Sequence, residues 1–395
     1  MNLETKNAVL ETLAELLAEN KSQIIEANKR DVTLCSGEDA VILDRLKVDE
    51  TKVEKMISAV KKVIKLEDPV GKILSTHTHE NGLRIENRTV PFGTILIIYE
   101  ARPDVAIEAA IIALKAGNKI LLKGGKEARN TNLFLCKLWQ KALEQNNVDV
   151  DFVKYLDISR EETQALIEGK REKFDVVIPR GGEVLIDFVV KNSKVPVIVS
   201  GRGNNFAYID SEADFEMALE IVINGKSRLS VCNALDKVLI DEKLPDLEQK
   251  IEQIVNALHN ESIEVLGDAS VHYVNPSVRL FGDEETWFEE FLAAKIVVAV
   301  VSNIDEAIEK INKYSGGHSA TILTNNAKTA EKFLNKVDCA AVFHNASTRF
   351  TDGGEFGLGA EIAISTQKLH FRGPLGANHL LTNKWFIFGN GQTRK

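Results

Sequence analysis

Four cysteines are the residues of this 395-residue chain with the clearest nucleophilic potential, and one of them stands apart. Cys232 lies in "SRLSVCNALDKVLI", between small polar residues and directly ahead of a strand-like run. A free cysteine is more often a small buried hydrophobic residue than a reactive group. A thiolate is nevertheless a good nucleophile and a good leaving group, so two interpretations of Cys232 stay open at this point: a catalytic nucleophile, or one more thiol that fills a core.

The other cysteines, Cys35, Cys136 and Cys339, lie far from Cys232 and from one another. Because no CxxC or CxxH spacing occurs, the sequence predicts neither a zinc site nor a disulfide, and it favours a reducing compartment. His77 and His79 in "THTHE" would share one face of a strand, but no third ligand accompanies them. We therefore expect no metal centre.

Charged residues and glycines recur directly after strand-like runs, where parallel sheets bind their ligands. The stretches are "EAR" at 100–102, "KGGK" at 123–126, "PRGG" at 179–182 and "SGRG" at 200–203. In two of them a glycine pair opens a helix, where free N–H groups and the helix dipole favour a phosphate. The glycines also suit loop geometry alone, and no GxGxxG follows the first strand, so both interpretations stay open.

The apolar pattern predicts the elements that position these groups. Residues 3–66 have helical periodicity, and strand-like and helix-like runs then alternate from residue 94 to "VPVIVSG" at 195–201. A second alternating region runs from "DKVLID" at 236–241 to "AAVFHNAS" at 340–347. This alternation is typical of doubly wound parallel sheets, so we predict an α/β protein of two or three domains.

Two further segments predict a small antiparallel sheet. "HTHENGLRIENRTV" at 77–90 suggests a hairpin with a two-residue turn at Asn81-Gly82. The alternating tail "GANHLLTNKWFIFGNGQTRK" at 376–395 could pair with it. An isolated hairpin is marginal in water, so we expect a further partner, such as another subunit.

Composition and charge restrict the partners. The net charge of −9 argues against nucleic acid or an anionic membrane as the main partner. The most apolar stretch, "TILIIYEARPDVAIEAAIIAL", contains four charged residues and is a poor membrane span. The N-terminus has helical periodicity and several acids, unlike a signal peptide. We expect a soluble, cytoplasmic protein.

Six motifs resemble the gamma-glutamyl phosphate reductases, a branch of the aldehyde dehydrogenase superfamily. They occur in family order from about residue 5 to about residue 390: "YEARPDV", "LLKGGKEARNTN", "VVIPRGGEVLI", "SVCNALDKVLI", "NASTRFTDGGEFGLGAEIAISTQKLHFRGP" and "NKWFIFG". The resemblance implies an aldehyde-dehydrogenase-like fold: a Rossmann-like NADP-binding domain (1–71 and 91–210), an α/β catalytic domain (211–370) and an oligomerisation flap (72–90 and 371–395).

The resemblance also implies a chemistry. In this family a cysteine thiolate, here Cys232, attacks an acyl phosphate, phosphate leaves, and NADPH reduces the thioester to L-glutamate 5-semialdehyde. This is the second step of proline biosynthesis from glutamate. Two alternatives stay open: a reductase of the same superfamily for another acyl phosphate or an acyl-CoA, and a non-catalytic homologue that binds glutamate kinase.

Residue roles follow from the matching motifs. For the cofactor the resemblance implies Lys123, Gly125, Lys126, Pro179, Arg180, Gly181, Gly182 and Glu290. Lys126 stands where NAD-preferring members often carry glutamate, and a lysine suits a 2′-phosphate, so NADPH is favoured. For the substrate the candidates are Arg102, Asn233, Asn345, Ser347, Thr348 and Arg349. The partners expected are the small-molecule substrate, further copies of the chain in a dimer or tetramer, and a glutamate kinase.

Three features depart from relatives. Val199 or Ser200 falls where hydrolytic aldehyde dehydrogenases place the glutamate that activates water, as expected of a reductase. Ala101 replaces an asparagine of those enzymes, so the oxyanion hole is expected to differ. Asn205 and Phe206 replace a Cys-His pair usual in the family, which leaves the detail of the substrate pocket open.

Overall fold

Four helices open the chain, as the periodicity of residues 3–66 predicts: α1 (Leu3–Glu19), α2 (Lys21–Leu34), α3 (Ala40–Leu46) and α4 (Glu50–Ile64). The computed structural model describes residues 1–35, 37 and 40–394. It divides into two units, each described by itself below: unit 1 (1–200, 357–363 and 374–395) and unit 2 (201–356 and 364–373).

A four-stranded parallel sheet forms the centre of unit 1. Its strands follow a hairpin of β1 (Ile73–Thr78) and β2 (Arg84–Pro91), and they are β3 (Thr94–Tyr99), β4 (Lys119–Gly124), β5 (Val153–Tyr155) and β6 (Val176–Arg180). The spatial order is β5-β4-β3-β6. The intervening helices are α5 (Val105–Lys115), α6 (Arg129–Gln145), α7 (Arg160–Ile167) and α8 (Glu183–Asn192).

Local sequence explains several of these elements. Ser159 caps α7 with a full capping box, in which its side chain accepts the Glu162 N–H and the Glu162 carboxylate accepts the Ser159 N–H. Helix α5 is buried along almost its whole length, in keeping with its nearly continuous apolar sequence. Trp139 of α6 is fully buried and donates its indole N–H to the Ala106 carbonyl of α5 at 3.1 Å. These contacts fix the positions of α5 and α6, the helices that follow β3 and β4 along the chain.

A seven-stranded, fully parallel sheet forms the centre of unit 2, in the order β10-β9-β11-β8-β7-β12-β13. The strands are β7 (Asn205–Ile209), β8 (Leu235–Asp241), β9 (Glu264–Gly267), β10 (Arg279–Leu280), β11 (Lys295–Val301), β12 (Ser319–Leu323) and β13 (Ala341–His344). The helices are α9 (Phe215–Lys226), α10 (Leu247–Asn260), α11 (Ala269–Val274), α12 (Glu285–Phe288), α13 (Ile304–Tyr314) and α14 (Ala327–Lys336).

The tail pairs with the hairpin, as the sequence predicts. After the short strands β14 (Ile364–Ser365) and β15 (Gly373–Pro374), strand β16 (Leu381–Phe388) runs antiparallel to β2, and the sheet order is β1-β2-β16. The predicted two-residue turn is wrong, because residues 79–83 separate Thr78 from its partner Arg84. Gly82, with a φ of +84°, lies inside this longer turn.

Two other expectations differ from the structure. "VPVIVSG" does not form a strand: Val197 makes an isolated bridge to Val177, and Ser200 is a second isolated bridge residue. The predicted domain boundary at residue 210 also differs from the observed one, because β7 pairs with β8 and β12 inside unit 2. Within the described ranges, no helix combines the length and the apolar character needed to cross a bilayer.

Candidate active site

Cys232 lies in the loop between α9 and β8 and is the only cysteine of the described residues that is not buried. Cys35, Cys136 and Cys339 are all buried. Burial raises the pKa of the Cys136 thiol to about 12 and that of Cys339 to about 11, so both stay protonated at neutral pH. Exposure therefore separates Cys232 from the three cysteines that fill cores.

The backbone of unit 2 approaches the Cys232 loop closely. A Cβ atom on Gly203 would lie 1.8 Å from the Cys232 carbonyl oxygen and 2.5 Å from its Cα, so only glycine fits there. The Asn205 side chain donates to the same Cys232 carbonyl at 2.7 Å. Gly203 lies just before β7 and Asn205 is the first residue of that strand, so the start of β7 holds the backbone of the candidate nucleophile from one side.

A second segment, residues 348–351, holds the loop from another direction. The Asn233 amide donates to the carbonyls of Arg349 at 3.0 Å and Thr351 at 3.1 Å. The Thr348 hydroxyl donates in return to the Asn233 carbonyl at 3.0 Å. The fold thus brings Asn233, Thr348 and Arg349 next to Cys232, although 115 residues separate Thr348 from Asn233 in sequence.

The Arg349 guanidinium group interacts electrostatically with Cys232 and with a second guanidinium group, that of Arg228. Arg349 is half-buried, and its pKa is lowered first by burial and then by the positive charge of Arg228. The charges of Asp352 and Cys232 act on this pKa in the opposite direction. Our sequence reasoning did not single out Arg228, although it lies four residues before Cys232 in the same loop. Two neighbouring guanidinium groups, one of which interacts electrostatically with Cys232, suit a phosphorylated substrate.

The remaining predicted substrate residues of unit 2 bind protein backbone. The Ser347 hydroxyl accepts the Arg349 N–H at 3.3 Å and is buried. Asn345, whose φ of +53° is left-handed, accepts the Thr324 N–H and donates to the Thr324 carbonyl, both at 2.9 Å. With both ends of its amide engaged, Asn345 shapes the loop after β13, and the structure gives no support to its predicted contact with substrate.

Behind Thr351, a buried chain of polar groups ends at a histidine. The Thr351 hydroxyl hydrogen-bonds to that of Ser319 at 2.7 Å, and the Ser319 hydroxyl to His318 Nδ1 at 2.8 Å. Burial lowers the pKa of His318 to about 4, so the ring is neutral near pH 7. His318 therefore supports the loop structurally and is a poor candidate for proton transfer at that pH.

The predicted cofactor residues of unit 1 share one edge of its sheet. Lys123 of β4 and Pro179 of β6 both pair with Ile98 of β3, which places Arg180 at the same end of the sheet and Gly181 just beyond it. The Lys123 ammonium donates to the Gly124 carbonyl at 2.6 Å, and burial lowers its pKa. Gly125 and Lys126 follow β4 at the start of a short 3₁₀ turn, where Lys126 is exposed.

The N-terminus of α8 offers both space and backbone donors. Gly182 is its N-cap, and no atom lies within 4 Å of the position that a Cβ would take. The Gly182 N–H donates to the Glu100 carboxylate at 2.9 Å, so a phosphate using this donor would have to displace Glu100. Arg180 donates to the Ile362 carbonyl at 2.7 Å, a contact that the sequence did not predict.

Arg102 lies among carboxylates in unit 1. It forms an ion pair with buried Asp104 at 3.4 Å, and Asp104 is also 3.7 Å from the Lys52 ammonium. The half-buried Glu108 of α5 was not singled out by sequence, yet burial, reinforced by the charge of Asp104, raises its pKa to about 8. Arg102 is thus held at the start of α5 with carboxyl groups nearby.

Glu290 is held in place from both sides along the chain. It follows α12, which ends at Phe288, so it is not on a helix. The Lys237 ammonium donates to the Glu289 carbonyl at 2.8 Å, and the Phe291 N–H donates to the Asp236 carboxylate at 2.9 Å. Lys237 also lies 4.0 Å from the centre of the Phe291 ring, and burial lowers its pKa to about 7.

The described residues contain no group of three or more His, Cys, Asp or Glu side chains arranged to hold a metal ion. His77 and His79 lie at and just beyond the end of β1, which is exposed along its length.

Comparison with known proteins identifies the family. The model of the "Aldehyde dehydrogenase family" matches residues 1–262 and 245–359. A gamma-glutamyl phosphate reductase of Clostridium botulinum (strain Eklund 17B / Type B) is 46% identical over 399 residues, covering 100% of this chain and 96% of the relative. The chain belongs to the gamma-glutamyl phosphate reductases of the aldehyde dehydrogenase family.

Solved structures agree with this assignment. The crystal structure of the gamma-glutamyl phosphate reductase of Thermotoga maritima matches with a TM-score of 0.93 at 41% identity, covering 100% of this chain and 95% of that one. An acetylating aldehyde dehydrogenase of Geobacillus thermoglucosidasius shares the fold, with a TM-score of 0.74 at 18% identity and coverage of 100% and 94%. The aldehyde-dehydrogenase-like α/β fold expected from the sequence is confirmed.

The family fixes the reaction. This reductase converts gamma-glutamyl phosphate to glutamate 5-semialdehyde in proline biosynthesis, and family membership implies a nicotinamide cofactor. Among the functions that the sequence left open, the full-length similarity at 46% identity supports the glutamyl phosphate reductase over its two alternatives.

Proposed function

We propose that the reductase acts through a thioester on Cys232 and uses NADPH as its cofactor. The observation that carries the first part is the partial exposure of Cys232 and its electrostatic interaction with Arg349, while Cys35, Cys136 and Cys339 are buried. An adjacent cation stabilises a thiolate relative to a thiol, and the thiolate is the attacking species.

In the proposed reaction the Cys232 thiolate attacks the acyl carbon of gamma-glutamyl phosphate. The bond from that carbon to the phosphate oxygen breaks, and inorganic phosphate leaves with its electron pair. The Cys232 backbone N–H stabilises the oxyanion, and Arg228 and Arg349 stabilise the departing phosphate. The nicotinamide cofactor, when bound, supplies the hydride that reduces the thioester. Cys232 then leaves as a thiolate and releases the semialdehyde.

Water must be kept from the thioester in such a reaction. Val199 and Ser200 offer no carboxylate at the position where hydrolytic relatives carry their activating glutamate. His318, neutral and buried, does not replace it as a base. The same residues therefore favour transfer of the acyl group to and from phosphate over hydrolysis.

The residues of unit 1 fit a nicotinamide dinucleotide. The open space at Gly182 and the helix N-terminus suit a pyrophosphate, once Glu100 releases the Gly182 N–H. Lys123 would bind the adenosine ribose, and Lys126 its 2′-phosphate. Gly125, Pro179, Arg180 and Gly181 would line the same edge of the unit 1 sheet.

The test of the proposed reaction runs it in reverse, because gamma-glutamyl phosphate is labile. Purified protein is mixed with glutamate 5-semialdehyde, NADP⁺ and inorganic phosphate, and NADPH absorbance is followed. We expect a rise that depends on phosphate, since phosphate must attack the Cys232 thioester to complete the turnover. An equal rise without phosphate would show hydrolysis and contradict the proposal.

Cofactor choice is tested at Lys126. We expect Lys126→Glu to lower kcat/KM for NADP⁺ by about 10- to 100-fold, the effect of losing a charge-assisted contact and adding a like charge. The kcat/KM for NAD⁺ should change by less than about threefold, because NAD⁺ lacks the 2′-phosphate. Lys126→Gln separates loss of the positive charge from added repulsion. Equal losses with both cofactors would contradict the assignment.

For the remaining partners, the flap is the proposed contact between subunits. The sheet β1-β2-β16 exposes large apolar side chains, which are stabilised when a second copy covers them. They are Ile73, Leu74, Trp385, Ile387 and Phe388. For Arg102 we propose a contact with a carboxylate of the substrate. We also propose a reducing, cytoplasmic location, because the spacing of the four cysteines predicts no disulfide.

A further inference from the structure

Asn205 makes an unusual set of contacts in the Cys232 loop. It is the first residue of β7 and is fully buried. Its amide nitrogen lies within hydrogen-bond distance of three backbone carbonyl oxygens: that of Cys232 at 2.7 Å, Ala234 at 2.6 Å and Gly203 at 2.9 Å. One side chain therefore connects the glycine that packs on the nucleophile, the nucleophile itself and the start of β8.

The orientation of this amide is chemically determined. A carbonyl oxygen of Asn205 in the place of its nitrogen would face three other carbonyl oxygens and repel them. In the observed orientation two N–H hydrogens serve three acceptors, while the Asn205 Oδ1 atom is buried without a hydrogen-bond partner among the described residues. An unsatisfied buried acceptor is destabilising, so the donor end of Asn205 determines how the side chain is placed.

The strands are irregular at the same point. Asn205 pairs with Leu235, but Phe206 pairs with Lys237, so Asp236 is an extra residue in β8. Such an irregularity turns the chain and re-aims neighbouring side chains. Without a donor, the converging carbonyls of residues 203, 232 and 234 would repel one another, and the loop would lose this conformation.

Holding the Cys232 carbonyl fixes more than one atom. The peptide group between Cys232 and Asn233 is planar, so the Asn233 N–H points away from Asn205. The closeness of Gly203 restricts movement of the Cys232 Cα. The thiol and the N–H groups beside it are consequently held in one orientation before substrate binds.

We propose that Asn205 is a positioning residue for the thioester chemistry, whose amide holds the backbone of Cys232 in the orientation that acyl transfer requires. This inference rests on the proposed role of Cys232 as the nucleophile. It assigns no contact between Asn205 and substrate. A misplacement of about 1 Å at a reacting group lowers rates by about 100-fold, so the effect should be large.

Asn204 provides a matched control. It is the neighbouring asparagine, is equally buried, and donates to two carbonyls, those of Trp287 at 2.6 Å and Tyr314 at 2.8 Å. Its Oδ1 atom also lacks a hydrogen-bond partner within the described part of the chain. It makes the same kind of buried contact, but to segments other than the Cys232 loop.

The experiment compares Asn205→Ala, Asn205→Ser and Asn204→Ala with the wild type in the phosphate-dependent reverse assay. Thermal midpoints are recorded for each variant, and alkylation of Cys232 by iodoacetamide is followed by peptide mass spectrometry across pH. We expect Asn205→Ala to lower kcat by about 10- to 100-fold with KM for NADP⁺ within about twofold. We expect Asn204→Ala to lower the thermal midpoint but to keep kcat within about threefold.

Asn205→Ser retains one hydroxyl donor and should give an intermediate kcat, which keeps the test decisive if the alanine variant does not fold. A slower Cys232 alkylation in the Asn205 variants, absent in Asn204→Ala, would support positioning. A kcat within twofold of wild type for Asn205→Ala, or equal losses in Asn204→Ala, would overturn the inference. Wild-type turnover by Cys232→Ala would instead overturn the proposed nucleophile.

Discussion

Cys232→Ala is expected to abolish the phosphate-dependent reaction, with kcat at least about 1,000-fold below that of the wild type. Alanine keeps the small size of the residue and the backbone contacts with Asn205 and Gly203. It removes the only group proposed to form a covalent bond to the substrate. The loss should therefore occur without a large change in the thermal midpoint. NADPH production from glutamate 5-semialdehyde measures it directly.

Cys339→Ala is the matched control. Cys339 belongs to the same unit but is buried against Ser315, with a sulfur-to-oxygen distance of 3.4 Å. Its loss should lower stability, as a truncated core residue does, and leave kcat within about twofold. If Cys232→Ala retained turnover while Cys339→Ala lost it, the assignment of the nucleophile would be wrong.

Gly203→Ala is expected to lower kcat by about 100-fold, the second-largest effect. The new methyl carbon would lie 1.8 Å from the Cys232 carbonyl oxygen, far inside van der Waals contact, so one backbone must move. Since the obstructing atom is backbone, no side-chain rotation relieves the overlap. We also expect the free energy of unfolding to fall by about 1–3 kcal/mol, as for other overpacked sites.

Gly282→Ala, in the same unit, separates sterics from a general effect of replacing glycine. Apart from Gly282 itself and its two chain neighbours, no heavy atom of the described residues lies within 4 Å of the Cβ position at Gly282. This variant should keep wild-type kcat and thermal midpoint. Activity of Gly203→Ala equal to that of Gly282→Ala would show that the close approach to Cys232 has no catalytic importance.

Much of the fold could be predicted because local pattern and tertiary structure agree. Alternating apolar runs became the strands of two parallel sheets, and Ser159 capped its helix. The prediction of a strand at "VPVIVSG" is wrong although the composition of the segment is strand-like. Pro196 lacks an N–H, and the segment exchanges only two backbone hydrogen bonds with Val177. The apolar pattern carries no information about how many backbone hydrogen bonds a neighbouring strand can form with the segment.

The site was harder to predict than the fold. Amide and hydroxyl side chains can hydrogen-bond to a ligand or to protein backbone equally well. In the structure the backbone is the partner of Asn345, Ser347 and Thr348. Asn205 was noticed only as a departure from relatives. Its three carbonyl partners lie up to 29 residues away in sequence, and only the pairing of β7 with β8 brings them together.

The discontinuous course of unit 1 has a consequence for synthesis on the ribosome. Strand β16 pairs with β2 from Leu381↔Pro91 to Phe388↔Arg84, so the two partners leave the ribosome about 300 residues apart. The core of unit 2, residues 201–356, emerges between them. The seven-stranded sheet of unit 2 can therefore form before β16 pairs with β2. One edge of β2 stays unpaired until translation has almost finished. The last strand to be synthesised, β16, therefore completes the sheet that the two earliest strands, β1 and β2, begin.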